Sequence, residues 1–136
     1  MKPIRHYELY VDGSSRGNPG PAGIGVVMQD GAKRPVRQLS KAVGETTNNV
    51  AEYLALIYAL QEALRAGATS VTVNSDSELL VRQLNGRYQV REAHLRVLHD
   101  LARHLVEGFT SCRIEHIPRE QNTLADRLAR QGAKRP

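Results

Sequence analysis

Four acidic residues stand where side chains can be displayed from the ends of structural elements. Asp12 closes the apolar run His6 to Val11, just before a loop dense in Gly and Asn. Glu52 falls in the first turns of a helix-forming stretch. Asp76 follows the short apolar run Val71 to Asn74, and Asp126 lies a few residues into the last helix-forming stretch. In open α/β sheets, sites form at the carboxyl ends of parallel strands. Four carboxylates from four elements can converge there as a catalytic cluster. Each also has an ordinary explanation. Asn49-x-x-Glu52 and Thr123-x-x-Asp126 fit capping-box spacing, Asp76 fits a helix N-cap, and Asp12-Gly13 fits a strand-end turn.

The elements that would carry these acids follow from periodicity and breakers. His6 to Val11 alternates and favours a strand ending near Asp12, and Gly13 to Pro21 is turn chemistry. Ala22 to Met28 reads as a second strand, joined through Asp30-Gly31 to a third over Arg34 to Ala42. The period then changes. Val50 to Leu64 is apolar on nearly every face, which predicts a buried helix. Val71 to Asn74 predicts a buried strand, Ser77 to Leu84 a short helix, and Glu92 to Val106 an amphipathic helix with Leu95, Leu98, Leu101, Ala102 and Leu105 on its stripe. Cys112 to Ile117 predicts the last strand, with Cys112 in the core. Thr123 to Gln131 predicts the last helix, followed by a frayed basic end over Gln131 to Pro136. A meander followed by alternating helices and strands implies an α/β fold: a five-stranded mixed sheet, antiparallel then parallel, covered by helices.

Composition narrows the class. The 136 residues suffice for one domain, expected over 1–136 with its core at about 5–131. Such a chain buries about two-thirds of its unfolded surface. With one Phe, five Tyr and no Trp, the core must come from aliphatic residues. The single cysteine excludes an internal disulfide and a cysteine-built zinc site. No apolar run approaches the roughly 18 residues of a membrane span, and no signal peptide is evident. The expectation is a cytoplasmic protein without membrane contact. The net charge of +5 points weakly to a polyanionic partner.

The motifs taken together say more. Val11-Asp12-Gly13-Ser14 with Gly17-Asn18-Pro19-Gly20, then Thr46-Thr47-Asn48-Asn49-Val50-Ala51-Glu52-Tyr53, then Ser75-Asp76-Ser77, then Asn122-x-x-x-Asp126, resembles the type 1 ribonuclease H family. The resemblance runs from about Tyr7 to Gln131, and its motifs occur in family order. It implies a ribonuclease H-like sheet with helices on both faces. It further implies endonucleolytic hydrolysis of the RNA strand of an RNA–DNA hybrid, leaving 5′-phosphate and 3′-hydroxyl ends. Asp12, Glu52, Asp76 and Asp126 would be the catalytic, metal-binding carboxylates. Two Mg²⁺ or Mn²⁺ ions are expected with substrate bound, because hard cations take oxygen ligands and a metal pair suits in-line displacement. Clustered acids repel, so their metal-free pKa values should be raised and coupled.

By the same resemblance, Gly13, Ser14 and Asn18 would touch the RNA strand or nearby backbone. Thr47, Asn48 and Asn49 would hold the backbone in the minor groove, with Thr47 at a DNA-phosphate pocket, while Asn48 and Asn49 can also cap the helix. Arg82, Arg87, Arg91, Arg96 and Arg103 can flank the groove, although such a series is more often a solvated helix face. Two departures stand out. Asn85 to Val90 is too short for the family's basic protrusion, and Ile117 to Asn122 is too short for its His-bearing loop. His116, Arg119 and Glu120 are the candidates for an accessory role near that loop, with His116 expected at the strand end. The spacing of His94, His99 and His104 does not repeat on one helical face, which argues against a His metal site.

Two other readings compete. A non-catalytic nucleic-acid-binding module of the same fold has little reason to keep four repelling acids. A related-fold exonuclease usually carries a second acid two residues after the first, where this chain has Ser14. The expected partner is an RNA–DNA hybrid, met by a monomer with no obligate protein partner. Metal preference and activity on duplex RNA or single ribonucleotides are not legible from sequence.

Overall fold

A computed structural model describes residues 5–134. Its elements are β1 (His6–Ser15), β2 (Gly20–Gln29), β3 (Pro35–Thr46), α1 (Asn48–Arg65), β4 (Ser70–Ser75), α2 (Glu78–Leu84), α3 (Ala93–Val106), β5 (Ser111–His116) and α4 (Thr123–Ala133). A single 3-10 turn at Arg119–Gln121 precedes α4. The strands form one five-stranded sheet in the order β3-β2-β1-β4-β5. β1 pairs antiparallel with β2 and parallel with β4, and β4 pairs parallel with β5. This is the expected mixed sheet.

Several boundaries differ from expectation. β1 runs on past Asp12, because Gly13, Ser14 and Ser15 pair with Ile24, Gly23 and Ala22. Ladder pairing there overrides the turn chemistry of the local sequence. β3 likewise continues to Thr46 along β2. α4 extends through Ala133, so the basic end begins later than Gln131, and Arg135 and Pro136 lie outside the described residues. Leu101, expected on the apolar stripe of α3, is 44% exposed, while Leu95 and Ala102 carry the buried contact. Cys112 is half-buried against the core, and burial pushes its thiol up to about 11.

Small residues set how closely the helices approach the sheet. α1 has Ala51, Ala55, Ala59 and Ala63 at intervals of four, all fully buried. They let the helix lie on Leu9, Val11, Ile24, Val26 and Met28. On the other face, α4 brings Ala125, Ala129 and Ala133 down onto Gly23 and Gly25 of β2. A Cβ at Gly25 would stand 2.1 Å from the Ala125 carbonyl oxygen. Alternation along a strand places neighbouring side chains on opposite faces. Asp12 is paired with Gly25 and so shares its face, toward α4, whereas Gly13 faces α1. Among the described residues, no helix is long and apolar enough to cross a membrane.

Candidate active site

The ordinary explanations for the acids fail one by one. The N-cap of α1 is Thr47, whose hydroxyl accepts the Val50 N–H at 3.3 Å, so Glu52 is not half of a capping box. Asn48 and Asn49, expected as possible caps, lie inside the helix and are exposed. The N-cap of α2 is Ser77, accepting from the Leu80 N–H at 3.3 Å, so Asp76 is not a cap. The N-cap of α4 is Asn122, without a side-chain cap bond. Asp12 lies inside a strand rather than in a turn. Only Asp126 keeps a local role, in the first turn of α4 and paired with Arg130 at 3.1 Å.

The acids meet at one end of the sheet. Asp12 is 9% exposed. Its carboxyl is pushed up to about 8, first by burial, then by a hydrogen bond with Asp126 and the charges of Asp76, Asp126 and Glu52. Glu52 is pushed up to about 7 by burial and by Asp76, partly offset by a hydrogen bond from the Ser77 hydroxyl. The causes of these shifts therefore link all four acids. The raised titration expected of clustered acids is present at Asp12 and Glu52.

Backbone packing enforces the convergence. A Cβ at Gly13 would lie 2.3 Å from the Ala51 carbonyl carbon and 2.4 Å from the Glu52 nitrogen. Gly13 thus lets the start of α1 press against β1, which brings Glu52 beside the strand carrying Asp12. Asp76 extends from β4, the parallel neighbour of β1. Asn122, absent from the residues singled out as site candidates, donates from Nδ2 to the Val11 carbonyl at 2.9 Å and to Asp76 Oδ2 at 3.3 Å. Its sequence signal is its place at the head of the Asn122-x-x-x-Asp126 motif, just before the last helix.

The donor set is anionic and all oxygen, which suits a hard divalent cation. Among the described residues, no three His, Cys, Asp or Glu side chains close into a ready metal cage. The cluster is open, and Asp12 shares a hydrogen bond with Asp126 where a cation could replace the proton. Mg²⁺ takes one or two carboxylates and keeps waters or substrate phosphate, so it needs no closed protein cage.

The other candidates are spread over several elements. Asn18 Oδ1 accepts the Asn48 N–H at 3.0 Å, and Asn48 Oδ1 accepts from the Ser15 N–H and hydroxyl at 3.0 and 2.8 Å. These bonds fasten the β1–β2 loop to the start of α1. Ser14 is half-buried in β1. His116 ends β5 beside Ser75 and is exposed, bordering a cavity of about 170 Å³ with Arg82 and Arg87. Arg119 and Glu120 are exposed in the 3-10 turn. His99 is a packing residue: its ring meets Tyr53 edge-on at 6.4 Å, and its Nε2 lies 3.1 Å from the Gln83 carbonyl. Of the arginine series, Arg82 pairs with Glu78 at 2.8 Å and Arg103 donates to the Leu84 carbonyl at 2.9 Å.

Comparison with known proteins gives the family and supports the fold. Residues 10–132 match the family model described as reverse transcriptase-like. The bifunctional protein Rv2228c of Mycobacterium tuberculosis is 47% identical over 122 residues, covering 89% of this chain and 34% of that protein. Ribonuclease HI of Halobacterium salinarum is 42% identical over 120 residues, covering 88% of this chain and 60% of its own length. The chain thus spans from a third to three-fifths of these relatives. The crystal structure of LC11-RNase H1 in complex with an RNA/DNA hybrid superposes with a TM-score of 0.88 at 42% identity, covering 93% of this chain and 96% of that one.

Proposed function

The chain belongs to the type 1 ribonuclease H family, and from that membership we propose that it is a metal-dependent endoribonuclease acting on the RNA strand of RNA–DNA hybrids. The observation that carries this reading is the meeting of Asp12, Glu52, Asp76 and Asp126 at one sheet end, with Asp12 pushed up to about 8 by burial and its neighbours. Those four would hold two Mg²⁺ or Mn²⁺ ions when substrate binds. When bound, the metal supplies an activated water and charge stabilisation at the leaving oxygen.

The chain's own residues do the rest. Asp12, held protonated by burial and its hydrogen bond with Asp126, would release that proton to receive the cation. Gly13, Ser14 and Asn18 bring the β1–β2 loop to the RNA strand, and the loop is held to α1 by the Asn18–Asn48 bond. The exposed amides of Asn48 and Asn49, with Thr47 at the head of α1, face the minor groove, where a hybrid is distinguished by shape and 2′-hydroxyls. His116 at the end of β5, and Arg119 and Glu120 in the turn before α4, would act as accessory groups. The products carry 5′-phosphate and 3′-hydroxyl ends. We place residues 5–131 in one catalytic domain, acting as a monomer in the cytoplasm.

A gel assay on hybrid, RNA duplex and DNA duplex, with Mg²⁺ and Mn²⁺ supplied separately, tests the reading. Internal cuts in the RNA strand of hybrid alone, and only with metal, are expected. Metal-independent binding with no product would replace it with a non-catalytic module. Cuts restricted to free ends would replace it with an exonuclease.

A further inference from the structure

One buried residue ties together the segments that carry three of the four acids, two through its side chain and one through its backbone. Asn122 is 2% exposed. Its Nδ2 donates to the carbonyl of Val11, the residue before Asp12, and to Asp76 Oδ2. Its backbone carbonyl accepts the Asp126 N–H at 3.0 Å. The two amide hydrogens meet two acceptors, which fixes the orientation of the group, because the flipped amide would set oxygen against oxygen. Oδ1 is buried without a protein partner. A buried amide oxygen left unpaired costs stability, which the two donated bonds must offset.

We propose that Asn122 is a positioning residue that presets the spacing of Asp12, Asp76 and Asp126 for a divalent cation. The inference rests on the metal reading of the cluster given above. Asn122 acts through Asp76: a hydrogen bond to one carboxylate oxygen orients the other, and such outer contacts are worth roughly 10- to 100-fold in metal affinity. Its tie to Val11 holds β1 at the residue before Asp12, and with it Asp12, at a fixed distance from α4.

The test measures Mn²⁺ binding to the full chain by calorimetry, beside cleavage kinetics on hybrid. Asn122→Ala should remain folded by circular dichroism and bind Mn²⁺ about tenfold more weakly or worse. Its kcat should fall while KM for hybrid stays within about twofold, since substrate contacts are untouched. Asn122→Asp, which sets carboxylate oxygens against the Val11 carbonyl and Asp76, should lose at least as much. Asn122→Ser keeps one donor, should lose less, and carries the test if the alanine variant does not fold. Ala102→Gly, a buried change in α3, is the control for general destabilisation and should leave Mn²⁺ affinity unmoved. Wild-type Mn²⁺ affinity in a folded Asn122 variant, or equal weakening in Ala102→Gly, overturns the positioning role while the metal site stands. No saturable Mn²⁺ binding by the unaltered protein overturns the metal reading and this inference with it.

Discussion

Asp12 shows how one residue's surroundings set its chemistry. Burial alone raises a carboxyl, and three neighbouring acids raise it further. Its folded value of about 8 stands above its ordinary value of 3.8, so the folded protein binds a proton there that the unfolded chain releases. Stability from this group is full below about pH 4 and is lost as pH rises through about 8. Glu52 adds loss between about 4.5 and 7. Urea titrations of metal-free protein should therefore show falling stability from pH 4 to 8. Asp12→Asn should flatten that slope and gain about 1 kcal/mol or more at pH 8. Added Mg²⁺ should oppose the trend, because ligation requires the deprotonated acids. A wild-type slope retained in Asp12→Asn would remove the electrostatic account of the cluster.

At the level of elements, the site depends on how closely helices sit on strands. Gly25→Ala would drive a methyl group into the Ala125 carbonyl and displace α4, which carries Asp126. A loss of about 2–3 kcal/mol is expected by thermal unfolding, together with lost cleavage. Gly31→Ala is the contrast. A Cβ there meets nothing within 4 Å, so the change should be neutral or stabilise by up to about 1 kcal/mol. Thr47→Ala should cost about 1 kcal/mol through the lost cap of α1. These elements were largely legible beforehand, because period-2 and period-3.6 patterns are local. Their ends were less so. Gly13 to Ser15 carry turn residues yet pair as a strand, since their partners Ala22 to Ile24 supply the ladder. The Gly23/Gly25 and Ala125/Ala129/Ala133 spacings did mark the tight α4 contact, but only a known pairing of β2 with α4 gives them meaning.

Across the molecule, convergence of the acids is a property of sheet order. Asp12 and Asp76 are adjacent because β4 inserts parallel beside β1, which no local spacing dictates. The ensemble of motifs made the four acids legible where each alone fitted a cap or turn. Asn122 entered only as the head of the Asn122-x-x-x-Asp126 motif; its tie to Val11, 111 residues away, left no local signal. Charge is also a whole-molecule property. With four of the 14 acids in the cluster, ten remain against 19 basic residues, a surplus of nine outside the site. Hybrid binding should then weaken about tenfold or more between about 50 and 200 mM salt, with a linear log–log dependence. A salt-independent Kd would show that the general surface contributes little.

The central claim is that four carboxylates from four elements act as one metal-dependent site. The most direct test measures single-turnover cleavage of an RNA–DNA hybrid with blocked ends, in saturating Mg²⁺ or Mn²⁺, for the unaltered chain beside Asp12→Asn, Glu52→Gln, Asp76→Asn and Asp126→Asn. The account predicts internal cleavage by the unaltered chain, abolished by chelation. It also predicts a fall of about a hundredfold or more in every variant that retains its fold. Cleavage within a few-fold of the unaltered rate in any folded variant would contradict a four-carboxylate site.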